Sequence, residues 1–269
     1  MRSAVEREYR TLSPLDVRIQ THRRYSEAAH DVEADVIAAA AVTSGDRLLD
    51  VGPGTGTFLA RLAADHTAPL TALDFSAESA AACAALPGVR ALRGDAHHLP
   101  FAAGSFDVVT ARHMLYHLDD PVPAVAEAGR VLRPGGRFAA VVNRRAPYPR
   151  MTALLNDVLT RHDVVSPPSP DERVHGGNLP GIVAEGLGLG PDSDRITILR
   201  RDDALVFPDA APVVAYLVSI LTLHGVPDDS PLRAPVTAAL DAAVRAAFRT
   251  LPGGVWRDPK GYVIVTASP

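Results

Sequence analysis

The sequence predicts an α/β fold organised on a doubly wound sheet of seven strands, most of them parallel. Three observations support this. From about residue 47 to residue 143, short apolar runs bounded by turns alternate with helical segments, the signature of successive βαβ units. The turn after the first of those runs, Gly52-Pro53-Gly54-Thr55-Gly56, is glycine-rich and opens directly into a helix, as expected at the carboxyl edge of such a sheet. The chain of 269 residues, 47% hydrophobic, is long enough to bury a large core, and no internal repeat or low-complexity tract divides it.

Residues 1–44 carry no strand-like alternation; within them, Ser26 to Val42 reads as an alanine-rich helix with Val32, Val36, Ile37 and Ala40 on one stripe. Strands follow at Arg47–Val51, Leu70–Phe75, Val89–Arg93, Phe106–Ala111 and Arg137–Val142, separated by helices near Thr55–Ala64, Ala77–Leu86 and Pro121–Leu132. The third helix has Asp119 or Asp120 to cap exposed N–H groups, Pro121 for its first turn, and Pro134-Gly135-Gly136 to end it. Beyond residue 143 the pattern loosens into a helix near Arg150–His162, a proline-rich break at Ser166–Pro170, a Gly176-Gly177 loop and a short helix at Leu179–Glu185. A sixth strand is expected at Arg195–Arg200, helices near Ala211–His224 and Pro231–Phe248, and a final strand at Gly261–Ala267.

Composition excludes several function classes. Charged residues are 22% and the net charge is −4, so a broad cationic surface for a phosphate backbone is not expected, and nucleic acid is disfavoured as a partner. Lys260 is the only lysine beside 26 arginines, a bias assigned to a GC-rich genome and given no functional weight. The single cysteine, Cys83, cannot form an intramolecular disulfide, no Cys/His cluster has zinc spacing, and no metal site is expected. The charged N-terminus lacks the apolar stretch of a signal peptide. The longest strongly apolar run, Val213 to Leu223, falls short of the roughly 18 residues that span a bilayer. A soluble, cytoplasmic protein with no membrane partner is the expectation.

The sharpest local signal is LLDVGPGTGTF, Leu48 to Phe58. Gly52, Gly54 and Gly56 permit positive φ and let a ligand touch the backbone where a Cβ would intrude. The spacing is G-x-G-x-G with Asp50 two residues ahead, whereas a dinucleotide fingerprint is G-x-G-x-x-G. At the end of the second strand, Asp74 can accept from both hydroxyls of a ribose or can cap the next helix, a task Ser76 fits better. After the third strand comes GDAHHLPF, Gly94 to Phe101. After the fourth comes FDVVTARHMLYHLDDP, Phe106 to Pro121, and LRPGGRF at Leu132 to Phe138 leads into the fifth. The adjacent His97 and His98 lack a third ligand and read as a solvated loop rather than a metal site.

These segments, in this order, resemble the class I S-adenosylmethionine-dependent methyltransferases, in particular those of the ubiquinone/menaquinone-biosynthesis type, over Asp46 to Val142. The resemblance implies a Rossmann-like sheet whose last strand is antiparallel, with S-adenosylmethionine as cofactor and S-adenosylhomocysteine as product. It implies that the Gly52–Gly56 turn holds the methionyl part, that Asp50 meets its amino end, and that Asp74 binds the ribose. Phe75 would stack on the adenine, Asp95 would accept from its amino group, and the N–H of Ala96 would donate to a ring nitrogen. Arg112 and His113 would stand beside the reactive methyl, with Tyr116 and His117 one turn further on. Residues before the first motif fold over the cofactor in related enzymes, which makes Tyr25, Arg18 and His22 lid candidates. One domain, 1–269, then divides into a helical N-terminal lid at 1–44, a cofactor-binding core at 45–145, and acceptor-side helices and closing strands at 146–269.

The resemblance says almost nothing about the acceptor, which is expected to be a small molecule presenting an oxygen, nitrogen or carbon nucleophile, in specialised metabolism. Where a base is needed, His113, then His117, then His175 are the candidates, because an imidazole titrates near neutrality; His117 also reads as a packing or capping residue. Two competing classes are a nicotinamide-dependent oxidoreductase, opposed by the glycine spacing and by the absence of a Tyr-x-x-x-Lys dyad, and a methyltransferase-like binding protein without turnover. A nucleic-acid methylase is disfavoured because Ala111-Arg112-His113-Met114 stands where an N/D-P-P-Y/F motif belongs. The oligomeric state is open, a homodimer being one option.

Overall fold

A computed structural model describes residues 13–28, 30–168, 170–190 and 192–269. Seven strands form one sheet in the order β3-β2-β1-β4-β5-β7-β6. They are β1 Leu48–Val51, β2 Leu70–Asp74, β3 Val89–Arg93, β4 Phe106–Arg112, β5 Leu132–Asn143, β6 Ile196–Phe207 and β7 Trp256–Ala267. The first five pair in parallel, and β7 is antiparallel to both β5 and β6. β1 lies between β2 and β4, so the chain reverses its direction of travel there and leaves a crevice at the carboxyl ends of the strands.

Helices cover both faces: α1 Ser13–Tyr25, α2 Val32–Ala39, α3 Thr57–Ala63, α4 Ala77–Ala84, α5 Val122–Val131, α6 Pro149–Arg161, α7 Leu179–Gly186, α8 Ala210–Ser219 and α9 Arg233–Phe248. Val125, Val131 and Val183 of α5 and α7 pack on one face of the sheet with Val109 and Phe138. Val36, Phe58, Leu59 and Cys83 pack on the other with Leu48, Val108 and Val141. A third apolar cluster lies outside this sandwich, where Met151, Leu155, Leu217 and Leu240 of α6, α8 and α9 meet Leu205, Phe207 and Trp256. Among the described residues, no helix is long and apolar enough to cross a membrane.

The seven-stranded sheet and its antiparallel final strand match the sequence expectation; several element boundaries do not. The single helix expected over Ser26–Val42 is broken. Ser26 bridges to Leu205 at the sheet, and Asp31 accepts from Ala34 N at 3.0 Å, capping a helix that starts only at Val32. The preceding helix, α1, was not anticipated, because its apolar stripe is thin. Residues 1–12 of the expected lid lie outside the described residues, as do Ala29 in the expected helix and Ser169 in the proline-rich break. Strand β5 begins at Leu132, five residues early, and a register irregularity between Phe106 and Val108 absorbs the Pro-Gly-Gly. β6 and β7 extend their antiparallel pairing from Asp202↔Gly261 to Phe207↔Trp256, which charged residues disguise in the sequence. The helix expected to reach His224 ends at Ser219, and α9 starts at Arg233. The caps at Asp120, which accepts from Val122 N at 3.1 Å, and at Ser76, which accepts from Ser79 N at 3.2 Å, fall where expected.

Candidate functional site

A cleft of about 2310 Å³ opens at the carboxyl edge of the sheet and runs from the glycine turn to α8. Gly52, Gly54 and Gly56 have φ of +69, +58 and +77°. A Cβ on Gly52 would stand 2.7 Å from Met114 Cβ, so that position needs glycine for space as well as conformation. The Gly52 N–H donates to Leu73 O at 2.8 Å, which ties the turn to the end of β2. There Asp74 accepts from Gly54 N at 3.2 Å and from Ser76 N at 2.9 Å. Burial pushes its carboxyl up to about 6, and the negative charge of Asp50 adds to the effect; the backbone donors act against it.

Asp50 does not stand where the sequence suggested. Its side chain is fully buried behind the turn, accepting from Thr110 Oγ1 at 2.7 Å and from Arg112 Nη2 at 2.9 Å, and it is not on the cleft wall. Arg112 is on the wall instead, with its guanidinium carbon 4.1 Å from the centre of the Phe58 ring. Its Nε is buried and has no hydrogen-bond partner among the described residues. Asp50 therefore neutralises and aims Arg112, and it is Arg112 rather than Asp50 that faces the cleft.

Phe75, Asp95 and Ala96 all line the cleft. The Asp95 carboxylate accepts from the His97 backbone N–H at 3.0 Å and lies 2.9 Å from His97 Nδ1, and His97 Nε2 lies 2.8 Å from Asp120 O. His97 is thus a brace between two loops rather than a solvated residue, while His98 is exposed.

Of the three candidate bases, His113 and His117 reach the cleft and His175 does not. His113 has φ +51°, a left-handed conformation held by its N–H donating to Val141 O at 2.8 Å. Burial, then Arg112 and Lys260, push its imidazole down to about 4. His117 ends a 3-10 turn at Leu115–His117 and lies edge-on to Tyr116 at 4.6 Å; burial, then Arg18 and Arg173, push it down to about 3. His175 is absorbed by its own loop, accepting from Gly177 N at 3.0 Å. Among the lid candidates, Arg18 and His22 line the cleft. Tyr25 does not: its ring packs 5.0 Å from Phe207 in the outer apolar cluster, because α1 turns that face toward β6.

The sequence reading missed Lys260, Asp203, Tyr148 and Tyr216. Lys260, Tyr148 and Tyr216 line the far end of the cleft, and Lys260 Nζ lies 2.5 Å from Asp203 Oδ2. A signal existed, since Asp203 and Lys260 are register partners in the antiparallel β6–β7 pair, but it is visible only once that pairing is known.

The glycine cradle, two wall carboxylates at consecutive strand ends and an unpartnered guanidinium N–H form a site for a nucleoside carrying a charged amino-acid tail. Those features match S-adenosylmethionine, whose carboxylate can take the spare Arg112 donor. They define the class: a doubly wound domain of the methyltransferase type. Comparison with known proteins agrees. The family model described as a methyltransferase domain matches residues 49–140. A demethylmenaquinone methyltransferase of Renibacterium salmoninarum is 30% identical over 162 residues, covering 60% of this chain and 67% of that protein. A 27-O-demethylrifamycin SV methyltransferase of Amycolatopsis mediterranei is 38% identical over 107 residues, covering 36% and 38%. The YcgJ protein of Bacillus subtilis shares the fold, with a TM-score of 0.56 at 20% identity over 87% of this chain and 96% of that one. The chain belongs to the class I S-adenosylmethionine-dependent methyltransferases. It spans 40 to 67% of the length of several curated relatives it matches.

Proposed function

We propose that this protein moves the methyl group of S-adenosylmethionine to a small-molecule acceptor. The observation that carries this reading is one continuous cleft. The glycine turn, Asp74 and Asp95 lie at one end, a mixed aromatic and apolar pocket lies at the other, and His113 stands between. The relatives' names support it, since they include methyltransferases of menaquinone precursors and of a demethylrifamycin. The net charge of −4 favours a small molecule over a nucleic acid. The single cysteine, buried and free, favours the cytoplasm.

When bound, the cofactor supplies a methyl carbon made electrophilic by its sulfonium. The chain's own residues position and shield. The Gly52–Gly56 backbone accepts close approach, Arg112 takes the carboxylate of the amino-acid tail, and Asp74 takes the ribose hydroxyls. Asp95, Ala96 and Phe75 hold the base. Holding the nucleophile in line with the scissile bond is the main contribution, worth about 7–11 kcal/mol in well-oriented systems. His113, kept neutral by its surroundings, can accept the acceptor's proton on a ring nitrogen, with His117 behind it. Helices α1 and α2 form the lid, residues 45–145 bind the cofactor, and residues 146–269 shape the acceptor pocket.

The test is a methyl-release assay with labelled donor over hydroxyl, amine and carbon acceptors, alongside calorimetry with S-adenosylhomocysteine. Binding of the product and turnover on at least one acceptor are expected; failure of S-adenosylhomocysteine to bind would end this reading.

A further inference from the structure

The acceptor end of the cleft contains a buried cation that the cofactor does not use. The Lys260 side chain is 9% exposed, and its Nζ pairs with Asp203, whose side chain is 1% exposed. The Asp203 carboxylate cannot follow the lysine, because its Oδ1 accepts from Ala28 N at 2.8 Å and Ala204 N at 2.7 Å. An ammonium has three donors. Asp203 is the one side-chain partner of Lys260 among the described residues, so donors remain for the cleft whose wall Lys260 forms.

Aromatic rings stand beside it. Tyr148 OH and His22 Nε2 are 3.3 Å apart, and Tyr216 lies 5.5 Å from Tyr148 and 6.1 Å from His22, centre to centre. The backbone fixes this group: Tyr148 N donates to Pro259 O at 2.9 Å, next to Lys260, and Tyr148 has φ +54°. An aromatic residue in the left-handed region is uncommon and persists only where its surroundings impose it. Leu155, Leu159, Leu217 and Ile220 complete an apolar wall. A buried ion pair is a poor stabiliser compared with an apolar pair of the same volume. The β6–β7 pairing could therefore be held without Lys260, and the spare donors point to a ligand.

We propose that Lys260, locked by Asp203, is the acceptor anchor: it holds as an oxyanion the acidic hydroxyl, phenolic or enolic, of a flat and largely apolar acceptor lying against Tyr148 and Tyr216. This rests on the methyltransferase reading and names the substrate class of that same site. The anchored hydroxyl loses its proton to solvent on binding, and the O–H electron pair stays on the oxygen that Lys260 Nζ then hydrogen-bonds; the proton left for His113 is the one shed by the separate atom that is methylated. The charged and titratable groups facing that position are Asp203, His22, His113 and Tyr148, with Arg18 beyond His22.

The experiment uses 4-nitro-1-naphthol, whose ionisation is visible by absorbance, and its methyl ether as a neutral control. Both are titrated into the full chain saturated with S-adenosylhomocysteine. The native protein should bind the naphthol ionised, at a pH below its own midpoint, and about 10- to 100-fold more tightly than the ether, the range of a charge-assisted hydrogen bond. Lys260→Met should abolish both differences while S-adenosylhomocysteine still binds. Because that change strands the Asp203 carboxylate, the double variant Lys260→Met with Asp203→Asn is measured beside it and should behave the same way. Equal affinity of native protein for the two probes, no binding of either, or an unchanged preference in the folded variants would overturn the proposal. Loss of S-adenosylhomocysteine binding by the native protein would strike the methyltransferase reading instead.

Discussion

Replacing Asp74 by asparagine should make the free protein more stable and its cofactor complex weaker. The carboxyl is raised from an ordinary 3.8 to about 6 by burial, so the fold holds its neutral form more readily than its charged one. For a carboxyl with a raised value, the ionised form is a cost in the folded state. That cost is absent below about pH 4, grows between pH 4 and 6, and is constant above. At about 1.4 kcal/mol per unit it reaches roughly 3 kcal/mol at pH 8. Asparagine resembles the protonated acid and escapes the cost, so Asp74→Asn should raise Tm by several degrees at pH 8, at about 2–4 °C per kcal/mol, and by little at pH 4. With S-adenosylhomocysteine at about 100 times Kd, the native protein should gain some 2.7 kcal/mol of apparent stability. The variant should lose most of that gain, because the hydrogen bonds to a charged acceptor are worth about 1.5–3 kcal/mol. Native affinity should itself fall as pH drops through about 6. Scanning calorimetry at pH 4 and pH 8, with and without S-adenosylhomocysteine, reads all of this. A variant no more stable at pH 8 than at pH 4, or one bound as tightly as the native chain, would refute the reasoning.

Two further expectations concern separate parts of the molecule. Asp258 accepts from Arg150 N at 3.1 Å, Met151 N at 2.8 Å and Trp256 Nε1 at 3.1 Å, so it caps α6 from a neighbouring strand. Asp258→Ala should cost about 2–4 kcal/mol in urea unfolding, and a loss below about 0.5 kcal/mol would show that the cap contributes little. His113→Ala should lower turnover by about 100-fold or more with S-adenosylhomocysteine affinity nearly unchanged. Because burial holds this imidazole down to about 4, the acid limb of native turnover measured at saturating cofactor should fall near pH 4; a midpoint there at the ordinary value of 6.5 would remove His113 from the proton-accepting role.

The glycine-turn end of the cleft was readable because its requirements are local. Gly52 and Gly54 are fixed by the positive φ of their own turn, and Asp74 by its place at the end of a strand. Asp50 shows the limit. Its position beside the glycines was legible, but its burial against Thr110 and Arg112 depends on β1 lying next to β4, sixty residues away in sequence. Tyr25 and His22 differ for a similar reason: which face of α1 looks into the cleft is set by the β6–β7 strand pair it packs on, and no periodicity within α1 encodes that. His175 was attractive as a histidine in a glycine loop, yet the backbone of that loop uses its ring nitrogen.

Strand and helix period, the G-x-G-x-G turn and the acidic residues at strand ends are properties of contiguous chain. They were sufficient for the doubly wound fold and the glycine-turn end of the cleft, since short-range sterics and hydrogen bonding dictate both. The acceptor end arose otherwise. Lys260, Asp203, Tyr148 and His22 come from four distant segments. A lone lysine in an arginine-rich chain acquired meaning only when antiparallel pairing buried it opposite a carboxylate and beside two aromatic rings. Burial changes the cost and reach of a charge by removing water, and burial is a property of the assembled fold.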